Sequence, residues 1–304
     1  MRTDKGFTLP AFLMPTFLAL LIPGGPVLAE DNRAQQMQDG IINIAISEQN
    51  APNTNGNAQN QQQEGAQNTA EGTQEGESSS EIIQIQDGAF NDIRAQQEWG
   101  WANRIHVQQV GAQNTSRNLQ SSTYESTVIT RQGGFGNEAD TRQIIATFST
   151  IQIIQVGQAN TAEIQQDLSH RGQIFTRQEG NDNSTSAAQT GFAHFLSSAQ
   201  EGGFNRARAT QSGTLQEAEL LQSGLANQVD LVQADNYNTL SASQSGSFNR
   251  SAVVQQGSFG LGGGHQAIIS QSGSLNSTAI SQSGVTSTAI VTQYGNGNSV
   301  SLSH

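Results

Sequence analysis

Gln155-Val156-Gly157-Gln158-Ala159-Asn160-Thr161-Ala162-Glu163-Ile164-Gln165-Gln166 decides how the chain is read, because its order of Gln, Gly, Asn and a second Gln recurs along nearly the whole length. The pattern Gln-x-Gly-x-x-Asn-x-small-x-x-x-Gln opens at Gln38, Gln63, Gln86, Gln109, Gln132, Gln155, Gln178, Gln200, Gln222, Gln244, Gln271 and Gln293, at spacings of 22 to 27 residues. All twelve copies carry Gly third and Asn sixth, as at Asn43, Asn160, Asn205, Asn249, Asn276 and Asn298. Eleven close on Gln, among them Gln49, Gln166, Gln211, Gln255 and Gln282, and the last closes on His304. A fixed internal period of this length makes the chain a repeat array, in which each unit buries its faces only against its neighbours.

Within the repeat, side chains alternate with period two, the signature of a strand. Asn249, Ser251, Val253 and Gln255 fall on one face, as do Asn276, Thr278, Ile280 and Gln282. The half-repeat before each opening Gln alternates in the same way, in Ser149, Ile151, Ile153 and Gln155 and in Ser287, Ala289, Val291 and Gln293. Each repeat therefore holds two strands of about five or six residues, joined by a turn at Gly-x-x-Asn and by a looser counterpart. Stacked about 4.8 Å apart, the repeats set Gln over Gln and Asn over Asn, so that each amide bonds its equivalents above and below. The expectation is an all-β fold: a β-solenoid of about twelve 22–23-residue strand-turn-strand repeats, with stacked parallel sheets, Gln/Asn ladders and a thin apolar core. A helix is disfavoured by the Gly in every repeat and by β-branched runs such as Ile151 to Ile154. Four of the five prolines precede residue 30, and the fifth, Pro52, falls in the Asn50 to Asn60 connection.

The first 29 residues read differently. Arg2 and Lys5 precede an apolar stretch from Phe7 to Ile22, and Val27-Leu28-Ala29 has the small residues of a cleavage site, the plan of a secretory signal peptide. The expected organisation is a signal peptide over 1–29, an N-terminal, possibly export-targeting segment over 30–37, and the repeat array over 38–304. Removing Arg2, Lys5 and Asp4 from 13 basic and 25 acidic residues leaves eleven and twenty-four, a net charge of −13. So acidic a chain has no basic stripe for a phosphate backbone, which argues against nucleic acid as a partner. It has no cysteine, so disulfides do not hold it together.

The repeat resembles that of the curlin family, Ser-x5-Gln-x-Gly-x2-Asn-x-Ala-x3-Gln, found in the subunits of bacterial curli fibres. Its closest copies here are Gln155 through Gln166 and Gln200-Glu201-Gly202-Gly203-Phe204-Asn205-Arg206-Ala207 through Gln211, with the leading Ser at Ser126, Ser149 and Ser287. The resemblance implies a β-solenoid subunit exported through a curli-type secretion pore with its chaperones. Such a subunit polymerises with itself, and with another curlin, into a biofilm fibre on the surface of a Gram-negative cell. Typical members have about five repeats where this chain has twelve, and the small position is Ala in five of them.

Other signals are fewer. His106, His170, His194, His265 and His304 lack metal-ligand spacing, no cofactor motif or nucleophile elbow is present, and no carboxylate cluster recurs on one face, so an enzyme, a cofactor and a metal are not expected. Gly262-Gly263-Gly264 reads as a loop insertion in the longest repeat. Charges at outward positions (Arg206, Arg208, Arg250) and at turns (Asp87, Glu179, Glu201) read either as gatekeepers against premature assembly or as solvated decoration. Phe90, Phe135, Phe192, Phe204, Tyr237 and Phe248 lie near turns, where they either pack locally or form a stripe along one edge. Trp99 and Trp101 flank Gly100 in a half-repeat without the usual Gly register, marking an adhesive bulge or a local irregularity. The favoured function is a self-assembling fibre subunit. Its rivals are a monomeric solenoid adhesin or ligand-binding module, for which the outward Ser277, Ser281, Thr288 and Thr292 speak, and a surface nucleator of another curlin.

Overall fold

Every strand of this chain hydrogen-bonds to a strand one repeat away, and to no strand of its own repeat. The computed structural model describes residues 18–21, 32–50, 55–257 and 263–304. Twenty-five strands form two parallel sheets, one of thirteen and one of twelve, each ordered strictly along the chain. The twelve-stranded sheet takes the strands that run into each Gln-x-Gly, such as Thr150–Gln158; the other takes the strands that leave each Asn, such as Thr161–His170. One strand from each sheet makes a rung, and twelve rungs stack in register, with Gln132, Gln155 and Gln178 paired across three of them. The expected β-solenoid is the observed fold.

The strands are longer than expected. Those of the twelve-stranded sheet have nine residues, because the extended backbone runs through Gln-x-Gly to the residue beyond it. Asp87, Glu179 and Glu201 consequently sit within strands rather than at turns. The repeat array also starts earlier than residue 38, since the first strand is Arg33–Ile41. Pro52 and Gly262 lie outside the described residues, as do 1–17 and 22–31 of the leader and its junction. The leader segment Leu18–Leu21 is a short strand in parallel register with Ile44–Ser47, at the first edge of the thirteen-stranded sheet.

The two sheets face each other across one continuous core. All the residues expected on the inner faces are buried, including Ser149, Ile151, Ile153 and Gln155 on one sheet and Asn249, Ser251, Val253 and Gln255 on the other. The core is more aliphatic than the composition suggests. From Ile82 to Val291 most rungs contribute branched side chains such as Ile82, Ile93, Ile105, Val107, Ile164 and Leu220, which interdigitate in one cluster. Each branched side chain so buried stabilises by about 1.5–3 kcal/mol relative to an exposed one. The first rungs differ, for there Gln59 and Gln61 occupy the interior beside Gly72. A Cβ on Gly72 would lie 2.9 Å from the Gln59 carboxamide oxygen, so the missing side chain leaves room for the amides.

The two turns of a rung are related. In rungs of 22 residues the second turn copies the first: Gln189-Thr190-Gly191-Phe192-Ala193-His194 and Gln211-Ser212-Gly213-Thr214-Leu215-Gln216 both follow Gln-x-Gly-x-x-polar. Gly191 and Gly213 share the positive φ of the first-turn glycines, 120° and 107° beside 110° at Gly180. Each such rung is thus two eleven-residue halves with one plan. Rungs of 23 residues carry one more residue in the second turn, and the change of length is taken up by a register shift between Gln166 and Ser169.

Charge is distributed unevenly along the stack. Acidic and basic residues occur up to Arg250, and none follows from Ser251 to His304.

Candidate functional site: ladders, turns and rung ends

The invariant residues form three unbroken columns. The opening glutamines from Gln38 to Gln293 are joined by eleven side-chain bonds of 2.7–3.1 Å. The closing glutamines from Gln49 to Gln282 are joined by ten of 2.7–2.9 Å. In both columns the Nε2 of each Gln donates to the Oε1 of the next rung toward the C-terminus, so all the amides point one way. The second Nε2 hydrogen crosses to a backbone carbonyl at the start of a strand in the facing sheet, as from Gln155 to Glu138 at 2.9 Å. A Gln column therefore stitches rungs together and sheets together at once. A shorter third column, Gln36 to Gln61 to Gln84, spans the amide-filled first rungs.

The Asn column does a different job. Asn160 Nδ2 donates to Asn137 Oδ1 one rung back (3.0 Å) and to the Gly180 carbonyl one rung ahead (2.8 Å). Its Oδ1 accepts both the backbone N–H and the Nδ2 of Asn183, each at 3.1 Å. The side chain thus satisfies polar groups in three rungs, none of which meets water, where each would otherwise cost about 1–3 kcal/mol. Ten such Asn-to-Asn contacts of 2.9–3.1 Å run from Asn68 to Asn298. The Gly column explains itself by contact: Gly157 has φ 122°, and a Cβ there would stand 2.1 Å from the Gly180 carbonyl oxygen. Both the positive φ and the rung spacing exclude a side chain. The ladder positions singled out from sequence, Gln38, Asn43, Gln49, Gln155, Asn160, Gln166, Gln200, Asn205, Gln211, Gln244, Asn249, Gln255, Gln271, Asn276, Gln282, Gln293 and Asn298, all lie in these columns.

A fourth column, at the second turn, is not apparent from residue identity. Six positions before each opening Gln stand Asn57, Ser80, Asn103, Ser126, Ser149, Gly172, His194, Gln216, Asn238, His265 and Ser287. The side chains in this column are buried and bond from rung to rung, so the leading serines are one version of a turn cap. Asn103 Nδ2 donates to the Thr123 carbonyl (2.9 Å), and Ser126 Oγ to that of Ala146 (3.1 Å). His194 does the same work with a ring: Nε2 reaches the Thr190 carbonyl at 3.0 Å, and Nδ1 accepts the Gln216 N–H at 3.3 Å. That pattern requires neutral imidazole, and burial pushes its pKa below the ordinary histidine value, against the smaller opposing effect of the Thr190 carbonyl. In the same region Glu77 is buried, its Oε2 accepting from Ser80 Oγ at 2.6 Å and Asn103 Nδ2 at 3.1 Å. Desolvation raises its pKa, and the bonds from Ser80, Asn103 and the Gly100 backbone oppose the rise.

The aromatic residues named from sequence divide between two opposite edges. Phe90, Phe135, Phe204 and Phe248 lie at the Gly-x-x-Asn turns, whereas Phe192 and Tyr237 lie at the second turns. The rings that touch are a different set, Trp101, Tyr124, Phe148, His170 and Phe192, on successive second turns. Their sequence offsets vary by a residue, which hides the column in the sequence.

The two ends of the stack present the columns in opposite senses. The first rung carries Gln38, Asn43 and Gln49; the last carries Gln293, Asn298 and His304, whose backbone continues the sheet through bonds of 2.9 Å to Ser281 and 2.8 Å from Ser283. Gln38 Nε2 is the first ladder donor and Gln293 Oε1 the last acceptor. Acids stack directly over one another on the outer face at the first end, with Asp39 paired to Glu64 and Glu64 to Asp87. Compared with known protein families and with curated proteins, the chain has no match.

Proposed function

We propose that the chain is the structural subunit of an extracellular curli-type amyloid fibre, which lengthens by adding copies to the ends of the solenoid. One observation carries this reading: the rungs at both ends bear the same ladder columns as those inside. A second copy placed on the last rung sets Gln38 above Gln293 and Asn43 above Asn298, continuing both ladders in one sense. Two like ends meeting instead oppose acceptor to acceptor or donor to donor. The assembly is therefore head to tail. Exposed strand edges recruit further strands unless something covers or charges them, and the rungs after Arg250 carry no charge.

In this reading the leader is removed before assembly, which uncovers Ile44–Ser47 for the incoming copy. The partners are further copies, a second curlin where one exists, and the secretion pore and chaperones of the export route. The protein is a scaffold rather than a catalyst. Purified protein beginning at Glu30 is expected to convert, after a lag, into thioflavin-positive fibres with a meridional reflection at about 4.7–4.8 Å. A product that stays monomeric under those conditions refutes the proposal.

A further inference from the structure

The second-turn edge exposes apolar rings that the stack itself does not use. Trp101 and Tyr124 stack with centroids 4.9 Å apart, Tyr124 meets Phe148 edge-on at 5.9 Å, Phe148 meets His170 at 5.6 Å, and His170 stacks on Phe192 at 5.1 Å. Trp99 lies beside this row, with its ring over Gly76, where a Cβ would come within 2.6 Å of it. These rings fill no internal space: Trp99 is 59% exposed and Trp101, Tyr124, Phe148 and Phe192 are 40–44% exposed. Ile145 and Leu168 widen the strip. At its start is a shallow hollow lined by Gly76, Trp99, Gly100, Trp101, Ser122, Thr123 and Tyr124. An exposed aromatic strip of this extent marks an interaction surface.

We propose that this edge docks an extended, neutral, β-linked glycan. Three features select that chemistry. The rings repeat at the rung rise of about 4.8 Å, close to the length of one β-linked hexopyranose, so successive sugars keep step with successive rings. A pyranose offers a C–H face to an aromatic ring and hydroxyls at its rim, and here the exposed hydroxyls of Ser122 and Tyr124 border the indoles. The third feature is charge: the chain carries −12 overall, and Glu75, Glu98 and Glu125 adjoin the hollow in sequence. A polyanion is repelled there, and so is the equally acidic flank of a second copy. The inference does not depend on fibre formation, since the rail is complete within one chain.

The two tryptophans of the chain are both on this edge, so intrinsic fluorescence reports on it alone. Cellohexaose titrated into freshly prepared, still monomeric full-length mature protein is expected to shift or quench that fluorescence saturably. Trp101→Ala combined with Tyr124→Ala, read through Trp99, is expected to weaken binding at least tenfold, and Trp101→Phe, which keeps a smaller ring, to fall between. Phe204→Ala, on the opposite edge, is expected to bind as the parent does. An alginate oligomer of matching length is expected to leave the signal unchanged. The proposal is overturned by the absence of a saturable response to cellohexaose, by equal weakening in Phe204→Ala, by a preference for alginate, or by a signal that follows protein concentration without sugar, which assigns the edge to contacts between copies. Thioflavin growth curves of the same variants test the fibre reading separately, because the substituted rings lie outside the ladder columns.

Discussion

At the scale of single residues, this fold depends on polar side chains that are buried and fully bonded. Asn160 satisfies groups in three rungs, and no other side chain has its reach and its paired donor and acceptor. The second-turn column is more permissive: Ser, Asn, Gln and His each deliver a side-chain polar atom to the neighbouring rung. That tolerance gives the histidine version a pH dependence the others lack. Because the folded state holds His194 below its unfolded pKa of about 6.5, the unfolded chain binds the extra proton first. Stability is therefore full above that pH and declines as pH falls through it. His106, half-buried, desolvated and close to Arg131, contributes in the same direction. His194→Asn, which installs the residue found at Asn57, Asn103 and Asn238, is expected to reduce the loss of denaturation midpoint between pH 7.5 and pH 5 while leaving the value at pH 7.5 little changed. An unaltered acid slope in that variant shows that His194 is not its source.

At the scale of the strand, the outer faces carry what the inner faces cannot. Parallel in-register stacking places identical repeat positions side by side, so a charge at one outward position meets the same position of the next rung. Where signs alternate this is favourable, as between Arg117 and Glu138 at 2.7 Å or Arg104 and Glu81 at 2.8 Å, although such exposed pairs contribute little, about 0–1 kcal/mol. Where they do not, as down Asp39, Glu64 and Asp87, the strands repel. Glu64→Gln, which leaves no adjacent like pair in that column, is expected to stabilise by a few tenths of a kcal/mol up to about 1 and to shorten the lag of assembly. Both effects should shrink as salt rises. An effect insensitive to salt points to packing instead of charge. The strands were also where the sequence was most legible. Period-two alternation placed Ile151, Ile153 and Gln155 inward, and constant spacing placed every Gln and Asn in its ladder. The second-turn cap escaped because eleven positions with one role hold five residue types, leaving only their fixed distance from the opening Gln as a signal. The touching rings escaped for a related reason, since the extra residue in 23-residue rungs shifts Phe148 by one position from Tyr124 and His170. Strand length was underestimated because Gln-x-Gly reads as a turn in sequence, yet Gly157 holds the chain extended enough to keep pairing.

At the scale of the whole molecule, the solenoid behaves as a one-dimensional stack whose stability is a sum over rungs and their interfaces. Deleting residues 286–304, the last rung, uncovers Gln271, Asn276 and Gln282, which carry the same ladder groups. The shortened chain is expected to fold, to lose a small part of its denaturation midpoint, and to assemble with its thioflavin signal preserved. Loss of assembly with the fold intact, judged by circular dichroism, locates a dedicated docking site in residues 286–304 instead. The neutrality of the stack beyond Arg250 has a further consequence, in time rather than in space. A chain is made from its N-terminus, so the charged, self-repelling rungs appear first and can fold while the neutral ones have yet to emerge. The adhesive part of the molecule thus spends the shortest interval without a folded neighbour to receive it.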